Sequence, residues 1–343
     1  MSEETSTESH LSVVMTTNQD EMTQTTDVTS SSSRGAALYF ECCVLVIGVI
    51  GTAANGLVLY ALVASKQHKK QELIVNQNAL DFYTCLFLVI TYAVKLANIH
   101  LTGSLGYWLC MLISSENLFI CGIVGSTTNL TFITIERYLK IVHPVWSKKK
   151  LRKWMVYGAV VVAWIFGFVI NMPPIFETTV VMNGVCYALV FWKTPEIKLA
   201  MAIYYWITSY FAIILIFVFC YGKILMAIRR QARVMASHNP AGSSATQIQS
   251  NKIQSNIIKT MILVCAFFAI AWLPQKIFIL LIGLGDVNLL NNGYYVVLFL
   301  GFLYICANPF IYATKFDPVR RILKGLILCK KVSEPVNEGV QMT

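Results

Sequence analysis

Long apolar runs separated by short polar segments dominate the chain. Seven of these runs reach the length of about 20 residues that a helix needs to cross a bilayer. They cover residues 38–64, 74–98, 108–140, 154–174, 199–228, 257–282 and 291–313. The pattern predicts an all-α membrane protein, with a seven-transmembrane helix bundle within residues 38–314.

The segments outside these runs have a different pattern. Residues 1–37 are rich in Ser and Thr and predict a disordered tail, with the first apolar run as an uncleaved anchor. Residues of about 231–256 are rich in Ser, Asn and Gln and predict a linker between runs five and six. Residues 315–329 predict a short amphipathic eighth helix, and residues 330–343 a polar tail.

Composition and charge support a membrane protein. Hydrophobic residues make up 56% of the chain, charged residues 13%, and the mean hydropathy is +0.62. Most Lys and Arg follow runs one, three, five and seven, so the positive-inside rule predicts that these loops and the C-terminus are cytoplasmic and the N-terminus extracellular. The net charge of +10 is spread over alternate loops, which favours contact with anionic membrane lipids over nucleic acid.

Several polar residues lie inside or at the end of apolar runs. Glu136, Arg137 and Tyr138 end the third run, and a charge at a bilayer centre costs about 2.5 to 3.5 kcal/mol, so such charges usually carry function. Asp81 in the second run indicates an ion site or a proton-sensitive switch, with a structural hydrogen bond as the alternative. Pro274 in run six predicts a hinge, because proline removes a backbone hydrogen bond.

The cysteines divide into two groups. Most of the ten lie inside apolar runs, where cysteine acts as a small hydrophobic residue. Cys110 and Cys186 are the two expected on the oxidising side, and we predict a disulfide between them. Cys329 stands beside two lysines, where palmitoylation and a free thiol are both open.

Together these residues resemble a known family. The motifs that carry the likeness are Gly51 with Asn55, Asp81, Cys110, Glu136-Arg137-Tyr138 with Ile141-Val142-His143-Pro144, Trp164, Cys186, Tyr221, Trp272-x-Pro274 and Asn308-Pro309-x-x-Tyr312. In this order they resemble the rhodopsin-like (class A) G-protein-coupled receptors, over about residues 38–329.

The resemblance implies a plasma-membrane receptor that activates a heterotrimeric G protein and also meets arrestin and receptor kinases. It implies three groups of site residues. The G-protein coupling switch would comprise Glu136, Arg137, Tyr138, Tyr221, Tyr312 and Val145. The activation hinges would comprise Trp272, Pro274, Asn308 and Pro309. An allosteric Na⁺, the one cofactor implied, would lie among Asp81, Ser126, Asn55 and Asn308.

The ligand is left open by the sequence. The expected lining comprises Glu116, Asn117, Phe119, Ile120, Trp272, Gln275, Lys276 and Phe302. A free Lys276 favours an anionic or peptidic ligand, whereas a Lys276–Glu116 pair would be structural. The alternatives are a monoamine-like receptor that uses Glu116, or a seven-helix transporter or channel. An enzyme is not expected, because the five His are dispersed and no nucleophile–base set is present.

Two departures from the family pattern affect the expected helices. Run five has Ile213 where the family usually has proline, which puts its bulge near the ligand cavity in doubt. The interval from Cys110 to Arg137 is two residues longer than the usual pattern.

Overall fold

The computed structural model describes residues 35–65, 71–187, 194–237, 245–285, 292–315 and 317–327. Within these ranges seven helical segments are long and apolar enough to cross a membrane, which confirms the predicted bundle. We call them spans one to seven. They are Gly35–Ala64, Glu72–Leu96, Gly103–Val142, Lys153–Ile170, Pro195–Gln231, Ile258–Leu284 and Gly293–Thr314.

The helices extend beyond some of these spans and are interrupted within others. The α-helices are α1 (Gly35–Ala64), α2 (Glu72–Leu96), α3 (Gly103–Leu109), α4 (Asn117–Val142), α5 (Pro144–Lys150), α6 (Lys153–Thr178), α7 (Pro195–Trp206), α8 (Ala212–Ser237), α9 (Ala245–Leu284), α10 (Asn292–Lys315) and α11 (Asp317–Ile327). Two π-helical turns, Cys110–Ser114 and Ile207–Phe211, lie within spans three and five. Strands β1 (Val180–Met182) and β2 (Val185–Tyr187) form an antiparallel hairpin.

Helix α4 lies at the centre of the bundle and packs against α2, α6 and α8. Small residues allow the closest approaches. A Cβ atom added at Gly167 in α6 would lie 2.4 Å from the carbonyl oxygen of Cys121 in α4. One added at Gly51 would lie 2.8 Å from the Cys306 sulfur and 2.9 Å from the Cys85 sulfur. These glycines therefore serve helix packing, as small residues do in membrane bundles.

The fourth apolar run ends at residue 174, after Pro173 and Pro174, but α6 continues to Thr178. Proline removes hydrogen bonds to the preceding turn, but its fixed φ is compatible with a helix that continues after it.

The predicted linker is also shorter than expected. Helix α8 continues to Ser237 and α9 begins at Ala245, so both ends of the 231–256 segment are helical. Residues 245–256 contain no Gly or Pro, and Ala, Gln and Lys among them favour a helix.

Helix α11 is amphipathic: Val319 is buried, Ile322 and Leu323 pack against the core, and Arg320 and Arg321 are exposed. Its position on the membrane surface stays a prediction. Cys329 and the tails at 1–34 and 330–343 lie outside the described residues.

Candidate functional site

One end of the bundle carries a disulfide-linked hairpin. The predicted bond between Cys110 and Cys186 is present, with Cα atoms 5.3 Å apart. Asn183 and Gly184 form the two-residue turn of the hairpin with φ angles of 51° and 77°, the left-handed values that such turns require. The disulfide therefore ties the hairpin to the beginning of span three. We call this the disulfide end, and the opposite one the Arg137 end.

Span three is interrupted just after this disulfide. The amide of Ser115 donates to the carbonyl of Cys110 at 2.9 Å, which closes the π turn. Glu116 then takes a left-handed φ of 63°, and α4 begins at Asn117. The expectation of one continuous helix over 108–140 is therefore wrong. The π turn and the left-handed residue accommodate the two extra residues between Cys110 and Arg137.

The interruption directs Glu116 towards α2. Its carboxylate forms an ion pair with Lys95 and accepts a hydrogen bond of 3.1 Å from the Tyr92 hydroxyl. The Lys95 ammonium also lies 4.7 Å from the centroid of the Tyr92 ring. The alternative in which Glu116 pairs with Lys276 is therefore wrong, because Lys95 holds that carboxylate.

Lys276 contacts span five instead. Its Nζ donates to Ser209 Oγ at 2.9 Å and lies 5.7 Å from the centroid of the Trp272 ring. Ser209 belongs to the π turn Ile207–Phe211. The doubt about a bulge in span five was therefore unfounded, although Ile213 replaces the usual proline. The Tyr210 hydroxyl donates to the Ala269 carbonyl at 2.8 Å and fixes this turn against α9.

Four other residues expected around a ligand are buried or half-buried in the bundle. Phe119 and Phe302 are buried and pack edge to face, with ring centroids 5.1 Å apart. Asn117 is also buried, and its Oδ1 accepts a hydrogen bond from the Cys121 thiol at 3.5 Å. Ile120 is half-buried against the core. This part of the set is an aromatic and amide layer within the bundle.

Trp272 and Gln275 have unpaired polar atoms. Trp272 is 4% exposed and contacts Gly301, where an added Cβ would lie 3.0 Å from the indole ring. Within the part of the chain that the structure describes, neither Trp272 Nε1 nor Gln275 Oε1 has a hydrogen-bond partner.

Asp81 is fully buried at the middle of the bundle. Its Oδ1 accepts hydrogen bonds from Ser126 Oγ at 2.6 Å and from Gln77 Nε2 at 3.2 Å. Its Oδ2 accepts one from Asn308 Nδ2 at 3.2 Å. The carboxylate therefore joins α2, α4 and α10, and two of its three predicted neighbours contact it.

Asn55, the third predicted neighbour, donates to the Gly51 carbonyl at 3.0 Å and to the Cys85 sulfur at 3.6 Å. Its buried Oδ1 and that of Asn308 have no hydrogen-bond partner among the described residues. All four residues predicted to hold Na⁺ therefore carry side-chain oxygens, the donor type that hard cations prefer.

Gln77 is the residue of this network that sequence reasoning missed. Its Nε2 donates to Ser126 Oγ as well as to Asp81, and its Oε1 accepts from Asn129 Nδ2 at 2.9 Å. Asn76 extends the network, because it donates to Asn129 Oδ1 at 2.8 Å and accepts from Trp164 Nε1 at 3.0 Å. The signal was available, because Gln77 precedes Asp81 by four residues and therefore lies on the same helix face.

The opposite end of span three carries the charged triplet. Arg137 is 8% exposed, and its guanidinium lies 3.5 Å from Glu136 Oε2. Lys140 donates to the other carboxylate oxygen at 2.6 Å. Arg137 Nε is buried and has no hydrogen-bond partner within the described ranges. The Tyr138 hydroxyl lies 3.2 Å from His143 Nε2, outside this pair.

Two tyrosines line the bundle near Arg137. The Tyr221 hydroxyl lies 3.3 Å from Thr134 Oγ1. Tyr312 is fully buried in α10, and its hydroxyl has no hydrogen-bond partner in the described chain. Pro274 and Pro309 lie inside α9 and α10, at the positions expected for hinges.

The segment after span three presents an apolar surface. Val145 on α5 is 67% exposed. It helps to line a depression of about 500 Å³, whose residues are Val142, His143, Pro144, Val145, Trp146 and Lys149.

This arrangement has counterparts among known proteins. The family model described as the seven-transmembrane receptor of the rhodopsin family matches residues 54–312, which is more than half of the chain. The chain belongs to the rhodopsin family of G-protein-coupled receptors. It is therefore a receptor and not an enzyme, and the transporter or channel alternative is wrong.

The relatives of this receptor are distant in sequence. The substance-P receptor of Cavia porcellus is 25% identical over 312 residues, which cover 87% of this chain and 73% of the relative. G-protein coupled receptor 15 of Mus musculus is 28% identical over 300 residues, which cover 83% and 78%. The crystal structure of squid rhodopsin aligns with a TM-score of 0.70 at 18% identity, covering 86% of this chain and 88% of that one. This last likeness shows the shared fold.

Proposed function

We propose that this receptor converts the binding of an extracellular peptide into activation of a heterotrimeric G protein through Arg137. The observation that carries the proposal is the state of Arg137, a buried guanidinium held by one carboxylate that Lys140 shares. A peptide ligand is supported by relatives named as receptors for substance P, somatostatin and tachykinin-like peptides. A monoamine is disfavoured because Lys95 already neutralises Glu116.

The proposed orientation places the Arg137 end in the cytoplasm and the N-terminus outside the plasma membrane. Exposed basic residues at that end support it: Lys148, Lys149, Lys150, Arg152, Lys153, Arg229 and Arg230. Such residues favour the cytoplasmic side and attract anionic lipid. Helix α11, with Arg320 and Arg321 exposed, would lie along the inner membrane surface.

In the proposed mechanism, a ligand at the disulfide end changes the contacts between spans five and six. The bonds from Tyr210 to Ala269 and from Lys276 to Ser209 hold these spans together there. Pro274 lies between Ala269 and Lys276 in α9, so a shift of Lys276 at the disulfide end would change the bend of α9 and move its Arg137 end outward. Arg137 then leaves Glu136 and contacts the G protein.

Tyr221 and Tyr312 would fill the space that Arg137 and span six leave. The hydroxyl of Tyr312 has no hydrogen-bond partner among the described residues, so a new hydrogen bond from it would stabilise the active state. Val145 would insert into the G protein, because its exposed side chain lies on the apolar depression. Arrestin and receptor kinases would use the same end.

We further propose a regulatory Na⁺ site at Asp81, because the oxygen donors there fit the ion. Asp81 and Ser126 would contact the ion, with the unpaired amide oxygens of Asn55 and Asn308 nearby. A bound cation would supply positive charge to the buried carboxylate and stabilise the inactive bundle. The Gln77 amide donates to the Asp81 and Ser126 oxygens and would compete with sodium for them, which would lower the affinity for sodium.

The direct test of the output end is nucleotide exchange on purified G protein by the receptor in nanodiscs, with a peptide library as the probe. Arg137→Ala should abolish peptide-driven exchange when equal amounts of folded receptor are compared. Arg152→Ala, at an exposed arginine of the same end, is the matched control and should retain exchange. Undiminished exchange in Arg137→Ala would refute the role of Arg137.

A further inference from the structure

Lys276 is a cation inside the bundle without an acidic partner in the described residues. Its half-buried ammonium can donate three hydrogen bonds, and Ser209 takes one of them. A lysine within the apolar part of a membrane protein costs about 2.5 to 3.5 kcal/mol, and such residues usually face a partner. A hydroxyl is a weak partner for a full charge, so the remaining donors require an explanation.

Among the described residues, the acids near the disulfide end do not provide that partner, and Glu196 is exposed at the start of α7 beside Thr194. Glu116 is engaged by Lys95 and Tyr92. The charge of Glu41 also interacts with Lys95. Lys95 in α2 therefore engages both of these acids, and neither forms an ion pair with Lys276.

The surroundings of Lys276 add a second donor. The indole Nε1 of Trp272 is buried without a hydrogen-bond partner among the described residues, and the Trp272 ring lies 5.7 Å from Lys276 Nζ. An unpaired indole N–H beside an ammonium that has two further hydrogens to donate is suited to an oxyanion. The Trp272 ring itself provides an apolar contact surface beside them.

We propose that Lys276 binds a carboxylate of the ligand, so that this receptor recognises an anionic group beside an aromatic or aliphatic side chain. That the ligand is a peptide rests on the proposed function. The presence of an anion site at Lys276 does not depend on it. The carboxylate would accept the remaining hydrogen bonds of Lys276, while the bond from Lys276 to Ser209 stays in place. It would enter the contact between spans five and six that the proposed mechanism uses.

The probe for this site is N-acetyl-L-phenylalanine, compared with N-acetyl-L-phenylalaninamide, which has nearly the same shape without the charge. Dissociation constants are measured by ligand-observed NMR on the purified receptor in nanodiscs. Because a hydrogen bond to a charged group is worth about 1.5 to 3 kcal/mol, the acid should bind about tenfold tighter than the amide or better. Lys276→Gln should bring the ratio close to one, and Lys276→Arg should preserve it.

Lys223→Gln is the matched control. Lys223 lies over the Phe219 ring at 5.9 Å, a similar cation–aromatic contact towards the Arg137 end, so its loss should leave the acid-to-amide ratio unchanged. A wild-type receptor that fails to bind the acid, or that binds acid and amide equally, would overturn the proposal. So would a preference for the acid that persists in Lys276→Gln.

The source of the carboxylate is resolved by a second arm in the nucleotide-exchange assay, with library peptides supplied both as free acids and as C-terminal amides. A Lys276-dependent preference for the free acids assigns the site to a peptide C-terminus, and equal potency of the two forms assigns it to an acidic side chain. Failure of every peptide to drive exchange would refute the peptide proposal alone, because the NMR measurement does not depend on signalling.

Discussion

Replacing Gln77 with leucine tests whether the Gln77 amide and a sodium ion compete for the Asp81 carboxylate. Gln77 forms three buried hydrogen bonds: it donates to Asp81 and Ser126 and accepts from Asn129. Hydrogen bonds between membrane helices average about 0.6 kcal/mol, and two of these bonds join α2 to α4, so Gln77→Leu should lower the free energy of unfolding by about 1 kcal/mol in sodium-free buffer. Leucine is apolar and, although one atom shorter, is branched and of similar bulk, so the loss is mainly of hydrogen bonds.

The same change should increase the response to sodium. In the wild type the Gln77 amide occupies the Asp81 and Ser126 oxygens that an ion would contact. Without that competitor, sodium at 100 times its dissociation constant would contribute about 2.7 kcal/mol, enough to offset the loss. Thermal unfolding of the purified receptor, followed by tryptophan fluorescence in sodium or in a bulky organic cation, measures both effects.

Two variants control this experiment. Asn78→Leu removes a hydrogen bond of 3.0 Å to the Ile74 carbonyl on the same helix and should leave the sodium response unchanged. Asp81→Asn, alone or with Gln77→Leu, should abolish the response. Equal stabilisation by sodium in the wild type and in Gln77→Leu would refute the idea that the amide competes with the ion.

Two further predictions concern the Arg137 end and helix packing. Glu136→Gln should raise agonist-independent nucleotide exchange about fivefold, because a 3.5 Å ion pair whose carboxylate is shared with Lys140 is worth about 1 kcal/mol. Lys140→Gln leaves the Glu136–Arg137 pair in place and should not raise exchange. An equal rise in both variants would show that local charge, and not the Glu136–Arg137 pair, sets the basal rate. Gly167→Ala should destabilise the receptor by about 1 to 3 kcal/mol in thermal unfolding, as judged by its melting temperature, because the added Cβ would lie 2.4 Å from a carbonyl of α4. Gly158→Ala should not, because, apart from its own helix, nothing in the described chain lies within 4 Å of a Cβ added there. Equal melting temperatures of the two variants would contradict the close packing of α4 and α6.

The features that the sequence predicted are those with a strong local signal. Apolar length identified the seven spans, and topology identified the pairing of Cys110 with Cys186. The triplet at Arg137 and the neighbours Ser126 and Asn308 of Asp81 followed from the family resemblance. These depend on hydropathy or on motifs that each lie within a few residues.

What the sequence did not predict depends on contacts between helices. The π turn around Ser209 forms without a proline, because Tyr210 and Lys276 fix it against α9. The left-handed conformation of Glu116 has no glycine to indicate it, and its partner Lys95 lies in another helix. The spacing of Gln77 places it on the same helix face as Asp81, but its bonds to Ser126 and Asn129 depend on the position of α4. Each depends on tertiary geometry, which local pattern does not specify.

The central claim is that span six moves away from Arg137 when the receptor activates a G protein. The most direct measurement is the distance between spin labels carried by unnatural amino acids at the exposed positions of Lys149 on α5 and Lys259 on α9. Double electron–electron resonance spectroscopy should give a longer distance between the two labels when nucleotide-free G protein is bound than in the receptor alone. An unchanged distance distribution in the complex would contradict the account.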